Sequence, residues 1–308
     1  MRKIILNSVI YSSILIIPFF LYLDKFTSGA TDAYYLRFTT AKQNSMILGV
    51  SRAAQGIVPS VLNNADLDSN YDFFNFAFSG STSPYGEIYY KAIFKKLDDN
   101  TKNGIFILGV NPLNLSYQYE KNPKENPDLF REKDSFLDKL IFMNQDPNLQ
   151  YLFQFYAHPY YELYFTESQK QNIKLHNDAW LEVSIDQDEE KLEPRRLAKL
   201  ATYKEKLKHY KISSIRKEWL NKLIRKLKTF GDVYLVRIPV DPRMYALEHT
   251  KFPLFEENIA KIANENEVKF FNFIPLNNTF KTTDANHLQS KSARRFTEIL
   301  ADSIKSNR

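Results

Sequence analysis

The 308-residue chain contains no cysteine. That rules out a disulfide framework, thiol chemistry and any cysteine-ligated metal, and it is compatible with an oxidising compartment. Glycine is scarce, at eight residues, and the sequence holds no glycine-rich phosphate loop and no dinucleotide fingerprint. Of the five histidines, His158, His176, His209 and His249 show no metal-ligand spacing and no accompanying carboxylate cluster, so neither a metal nor another cofactor is expected. Internal repeats and low-complexity tracts are also missing. The charge excess is small, 42 basic against 36 acidic residues for a net +6. An excess of that size suits an anionic membrane surface or an acidic glycopolymer and is too diffuse for nucleic acid.

The composition is 44% hydrophobic and 15% aromatic, which describes a packed body long enough for one sizeable α/β domain with insertions. Basic residues concentrate between Arg195 and Lys228. There Lys217, Lys222, Arg225, Lys226 and Lys228 alternate with Trp219, Leu220, Leu223, Ile224 and Leu227 at helical spacing, the pattern of an amphipathic helix with a solvated basic face.

Arg2 and Lys3 precede an uncharged, mostly apolar run from Ile4 to Leu23. Twenty helical residues at roughly 1.5 Å each cover a hydrocarbon core of roughly 30 Å. Residues 1–24 are therefore read as a single-pass transmembrane anchor. Signal-peptide h-regions are shorter, although Ser28-Gly29-Ala30 offers small residues for a cut. The positive-inside rule leaves the amino end in the cytoplasm and the rest of the chain on the periplasmic, extracytoplasmic side of the inner membrane. Residues 25–44 read as a juxtamembrane linker, with a strand around Tyr34 to Phe38.

The domain proper spans 45–308. Short apolar runs predict strands at Ser45–Val50, Phe73–Phe78, Ile105–Leu108, Asp232–Arg237 and Val268–Phe273. Helices are predicted from Pro84 to Leu97, from Phe255 to Ala263 and from about Ser290 to Ile304. Apolar strands alternating with helices indicate a three-layer α/β fold around a parallel, flavodoxin-like sheet. Residues 116–211 break the pattern and read as a helical or lid-like insertion. Its aromatic stretch from Tyr151 to Tyr161 is read as core packing, with a wall for sugar rings or an acyl chain as the alternative.

Three segments carry chemistry. Gly49-Val50-Ser51 ends the first strand, Gly109-Val110-Asn111-Pro112 follows the third, and Asp284-Ala285-Asn286-His287 precedes the last helix. A serine hydroxyl attacks an acyl carbon once a base takes its proton, and the base works best with a carboxylate orienting its ring. Ser51, His287 and Asp284 supply those parts. The backbone N–H groups of Ser51 and Gly80 and the side-chain amide of Asn111 are the candidate oxyanion donors. Arg52, beside the serine, and Arg237, at the end of a strand, are read by default as structural, in salt bridges, with contact to an anionic substrate as the alternative.

Taken together, Ser51, Gly80 in Phe78-Ser79-Gly80-Ser81, Asn111 and the Asp284-x-x-His287 pair resemble the four blocks of the SGNH (GDSL-like) hydrolase superfamily. The resemblance implies its α/β fold and an acyl-serine mechanism. It departs from the family pattern where Val50 replaces the aspartate of Gly-Asp-Ser. An anchor followed by such a domain looks like the DltD-like and alginate-acetylation-type proteins. That likeness implies acyl transfer onto a cell-envelope glycopolymer beside a multi-spanning, membrane-bound O-acyltransferase, with transferase and esterase both open. The competing reading is a non-catalytic scaffold that keeps the same body.

Overall fold

The computed structural model describes residues 2–27, 32–67, 72–156, 172–185 and 188–308. The apolar run forms helix α1 (Arg2–Thr27). The side chains at 15, 18, 19 and 21–27 lie outside the described ones, so the expected span from Ile4 to Leu23 falls partly beyond them. The described apolar side chains of α1 are exposed, Ile4 at 72%. Among the described residues no helix is long and apolar enough to cross a membrane.

Residues 32–40 differ from the expected strand and linker. They fold into the body through a single helical turn, α2 (Leu36–Thr39). The Asp32 carboxylate accepts the backbone N–H groups of Tyr34 and Tyr35 at 2.6 and 3.1 Å, which starts a turn where a strand would have left those donors for a neighbour. Tyr35 and Phe38 are fully buried. The buried Arg37 guanidinium donates to the carbonyls of Ala33, Asn75 and Ala179. The segment thus caps one edge of the sheet.

The central sheet contains β1 (Ser45–Leu48), β2 (Phe73–Asn75), β3 (Gly104–Gly109), β8 (Gly231–Arg237) and β9 (Lys269–Asn272). Its order is β2-β1-β3-β8-β9, with all neighbours parallel. Successive side chains on a strand point to opposite faces, and the core divides accordingly. Met46, Leu48, Phe106, Leu108, Val233 and Leu235 join one buried cluster. Ile47, Ile105, Ile107, Tyr234 and Val236 join the other. Both faces are therefore apolar, which is why these strands read as continuous hydrophobic runs.

Helices cover each face. On the first lie Ile88, Tyr89, Ala92 and Ile93 of α4 (Glu87–Lys96), Leu220, Leu223, Ile224 and Leu227 of α6 (Ser214–Leu227), and Phe255, Ile259 and Ile262 of α8 (Phe255–Glu265). On the second lie Ala53 and Ala54 of α3 (Ser51–Gly56) and the stripe Ala293, Phe296, Leu300 and Ile304 of α9 (Ser290–Lys305). Burying each large apolar side chain of such a stripe contributes about 1.5–3 kcal/mol.

The region from 116 to 211 starts and ends in an antiparallel ribbon, β4 (Ser116–Gln118) against β7 (Tyr210–Ile212). Between them lie short turns, the hairpin of β5 (Ile173–Leu175) and β6 (Leu181–Val183), and the long helix α5 (Glu189–Lys208). Tyr151 packs on Phe38 with ring centres 4.9 Å apart, and Phe155 and Tyr156 also lie against the core. Residues 157–161 of that aromatic stretch lie outside the described residues.

Candidate active site

In an open parallel sheet, ligands gather beyond the carboxyl ends of the strands where the strand order reverses. Here the reversal lies between β1 and β3. Ser51 follows β1 and Asn111 follows β3, so the topology alone brings them to one crevice.

The strand ends early because the chain must turn. Gly49 has φ +135°, in the region that favours glycine, and a Cβ there would stand 3.0 Å from the Gly109 carbonyl oxygen. Its N–H donates to the Tyr89 hydroxyl at 3.0 Å, and its carbonyl accepts the Ser83 hydroxyl at 2.7 Å. Val50 is extended and buried, and Ser51 opens α3. A fixed glycine turn therefore presents the serine at a helix start, where the first N–H groups have no intrahelical acceptor.

His287 comes to Ser51 from the other end of the chain, with Nε2 2.9 Å from Oγ. Its Nδ1 lies 3.0 Å from both Asp284 carboxylate oxygens. Oδ1 of Asp284 also accepts the backbone N–H groups of Asn286 and His287, at 3.1 and 2.9 Å, so the carboxylate that holds the ring also closes the loop carrying it. Ala285, between them, has φ +66°. Holding a non-glycine residue there costs about 1–2 kcal/mol, and the Asp241 N–H on the Ala285 carbonyl and a Thr282–Leu288 bridge secure it. Burial opposes the Asp284 charge. Its hydrogen bond to His287, the charge that ring carries once protonated, the Lys199 charge and the Asn286 N–H outweigh burial and hold the carboxyl well below its ordinary range.

Asn111 caps the turn Pro112–Leu115, where its Oδ1 accepts the N–H groups of Leu113 and Asn114 at 3.0 and 3.1 Å. The oxygen is committed, which settles the amide orientation and leaves Nδ2 without a partner among the described residues. Asn111, Gly80 and Ser51 line one cavity of about 320 Å³ with His287 and Asn286. Gly80 is exposed, and a Cβ there would meet open space.

Both arginines form buried salt bridges, the role the sequence reading gave them by default, rather than the substrate contact it kept as the alternative. Arg237 is fully buried and pairs with Glu248 at 2.6 Å and Glu256 at 3.0 Å, away from the cavity. Arg52 borders the cavity, but its guanidinium reaches Glu248 at 2.7 and 3.2 Å and the Asn286 side-chain oxygen at 3.0 and 2.7 Å. A strand-end arginine in a parallel sheet faces solvent only if nothing covers it. Here α7 (Pro242–Lys251) lays Glu248 over both arginines.

Sequence reasoning missed Glu248, Tyr203 and Asn286. Glu248 is 1% exposed and also accepts the Tyr203 hydroxyl at 2.5 Å. Burial opposes its charge, but Arg52 and Arg237 win and draw its pKa down to about 2. The other cavity wall comes from the inserted region, with Arg131, Lys199, Thr202, Tyr203, Lys206 and Tyr210. Arg131 and Lys206 have no carboxylate partner among the described residues. Partial desolvation, with Lys199 and Arg131 nearby, lowers the Lys206 ammonium from its ordinary value. Gly80, Ser81, Arg131, Lys206 and Tyr210 also border an adjoining cavity of about 330 Å³.

No protein-family model matches the chain, and a search of curated proteins returns no match. Among solved structures, the chain is similar to Est24, a carbohydrate acetylesterase from Sinorhizobium meliloti, with 10% identity and a TM-score of 0.40 over 86% of this chain and 100% of that one. It is also similar to the native M. smegmatis aryl esterase, with 10% identity and a TM-score of 0.40 over 85% and 99% of the two chains.

Proposed function

We propose that this chain is a serine-dependent O-acyltransferase or esterase that acts on a cell-envelope glycopolymer through an acyl-serine intermediate. The observation that carries the reading is the continuous chain of hydrogen bonds from Asp284 through His287 to Ser51, ending in an open cavity. In the first step His287 Nε2 takes the Ser51 proton as Oγ bonds to the ester carbonyl carbon. The oxyanion meets Asn111 Nδ2 and the N–H groups of Gly80 and Ser51. As the acyl–oxygen bond breaks, the proton passes from Nε2 to the leaving oxygen. A sugar hydroxyl or water, deprotonated by His287, then takes the acyl group as the bond to Ser51 breaks, and the proton returns from Nε2 to Oγ.

The uncharged run from Ile4 to Leu23 behind Arg2 and Lys3 supports a single-pass anchor with the domain outside the cytoplasm. That placement suits a multi-spanning, membrane-bound O-acyltransferase as the source of acyl groups. Arg131 and Lys206, on the wall of the cavity that holds Ser51 and without a carboxylate partner among the described residues, support a substrate bearing negative charge. Lys206→Ala is expected to raise KM for an anionic acyl ester about fivefold, the worth of roughly 1 kcal/mol of charge pairing. Its kcat, and its KM for a neutral ester, should stay unchanged. Equal KM values for both esters in the variant and wild type would remove the basic wall from substrate recognition.

The test of the reading is labelling of the full-length protein with a fluorophosphonate serine probe, mapped by peptide mass. Adduct on Ser51 that disappears in His287→Ala is expected. A folded protein that takes up no probe at Ser51 would favour the scaffold reading.

A further inference from the structure

Resting on the serine-base reading, we infer that Asn286, locked by Arg52, is a positioning residue that keeps His287 neutral and bare at Nε2 in the resting protein. An asparagine amide has a donor end and an acceptor end, and its environment decides which way it faces. Here Arg52 decides. Its Nε and Nη2 both donate to the Asn286 oxygen, at 3.0 and 2.7 Å. A guanidinium has only donors and does not lose its charge, so the oxygen must face it and the NH₂ must face away. The NH₂ then sits 3.0 Å from His287 Nε2.

The imidazole is thus held between an acceptor and a donor. Asp284 can only accept at Nδ1, which puts the ring proton there. Asn286 can only donate at Nε2, the atom that faces the Ser51 hydroxyl. A proton on Nε2 would set N–H against N–H, and the amide cannot turn over without pointing its NH₂ at Arg52. Arg52 is itself held by Glu248 and Tyr203.

The other charges facing the ring are Asp284 and Lys199, whose Nζ lies 3.5 Å from the Asp284 carboxylate. Arg131 and Lys206 stand elsewhere on the cavity wall. During turnover the amide opposes only the state in which Nε2 carries the Ser51 proton, and so favours its passage to the leaving oxygen.

The experiment measures the pH dependence of fluorophosphonate uptake at Ser51 in full-length wild type, Asn286→Ala and Asn286→Asp. Histidine ¹⁵N spectra of the wild type and Asn286→Ala are recorded alongside across the same pH range. Losing the donor should move the acidic limb of uptake to higher pH in Asn286→Ala, by about one pH unit, the worth of one net hydrogen bond. Asn286→Asp, which puts an acceptor there, should move it further. Circular dichroism establishes that both variants are folded. The spectra should show a neutral His287 protonated at Nδ1. A limb that coincides in folded Asn286→Ala and wild type would overturn the inference, as would a neutral ring protonated at Nε2. Should wild-type Ser51 take up no probe at any pH, the acyl-serine reading fails, and the pH at which His287 takes up its second proton in the spectra of wild type and Asn286→Ala still decides the role of Asn286.

Discussion

Ser51→Ala is expected to reduce turnover of an acyl ester by about 10⁴–10⁶-fold, with a melting temperature close to that of wild type. The size follows from what the hydroxyl does. It is the atom to which the acyl group would be bonded, and its hydrogen-bond partner among the described residues is His287. No structural bond is lost with it, because the glycine turn, the Asn75 amide on the Ala53 and Ile57 carbonyls, and the buried alanines of α3 place this helix without the serine. Asn111 and the N–H groups of Gly80 and Ser51 would persist, so residual activity above the uncatalysed rate should remain. His287→Ala should cost nearly as much, and the double variant little more than either, because base and nucleophile act as one unit. Purified enzyme assayed on a chromogenic ester, with thermal unfolding alongside, checks all three. Turnover in Ser51→Ala within tenfold of wild type would sink the acyl-serine mechanism.

The parts legible in the sequence were those fixed by local chemistry. Ile47, Ile105 and Tyr234 lie in strands buried on both faces, and the central positions of such strands are apolar in succession. The glycine at 49 is demanded by a backbone angle that few other residues adopt. Asp284 and His287 lie three residues apart in the loop whose backbone the aspartate itself closes. The less legible parts depend on long-range meetings. Glu248 sits in a helix with charged residues around it and resembles any solvated acid until Arg52, 196 residues away, is packed beneath it. Asn286 hid inside the Asp-x-x-His motif, because its significance depends on an amide orientation that Arg52 sets from 234 residues away. Aromatic residues from Tyr34 to Phe38 imitated a strand because apolar patterning over five residues does not separate a strand from one helical turn. Asp32, two residues before the run, was the overlooked turn signal.

Glu248→Ala is expected to destabilise the folded protein by about 3–5 kcal/mol at pH 7, because it leaves the buried Arg52 and Arg237 without their shared carboxylate. A loss of that size corresponds to a melting temperature lower by about 5–8 °C in a chain of this length. The pH dependence identifies the cause. In the folded protein the Glu248 pKa is drawn down to about 2 from an ordinary 4.5. The unfolded chain therefore binds this proton first as the pH falls, and the stabilisation, fully present above about pH 4.5, is lost on the way to about pH 2. The wild-type and Glu248→Ala unfolding curves should accordingly converge through that window, whereas a loss due only to missing side-chain volume would be the same at every pH. Chemical denaturation at pH 7, 4.5 and 3 distinguishes the two, and a pH-independent difference would refute the charge argument. Glu248→Gln keeps the volume and should show the same convergence. In folded Glu248→Gln, Arg52 loses its ionic hold, and the acidic limb of Ser51 labelling should shift in the same direction as in Asn286→Ala. The buried ion cluster would then serve the site by fixing one amide as well as stabilising the fold.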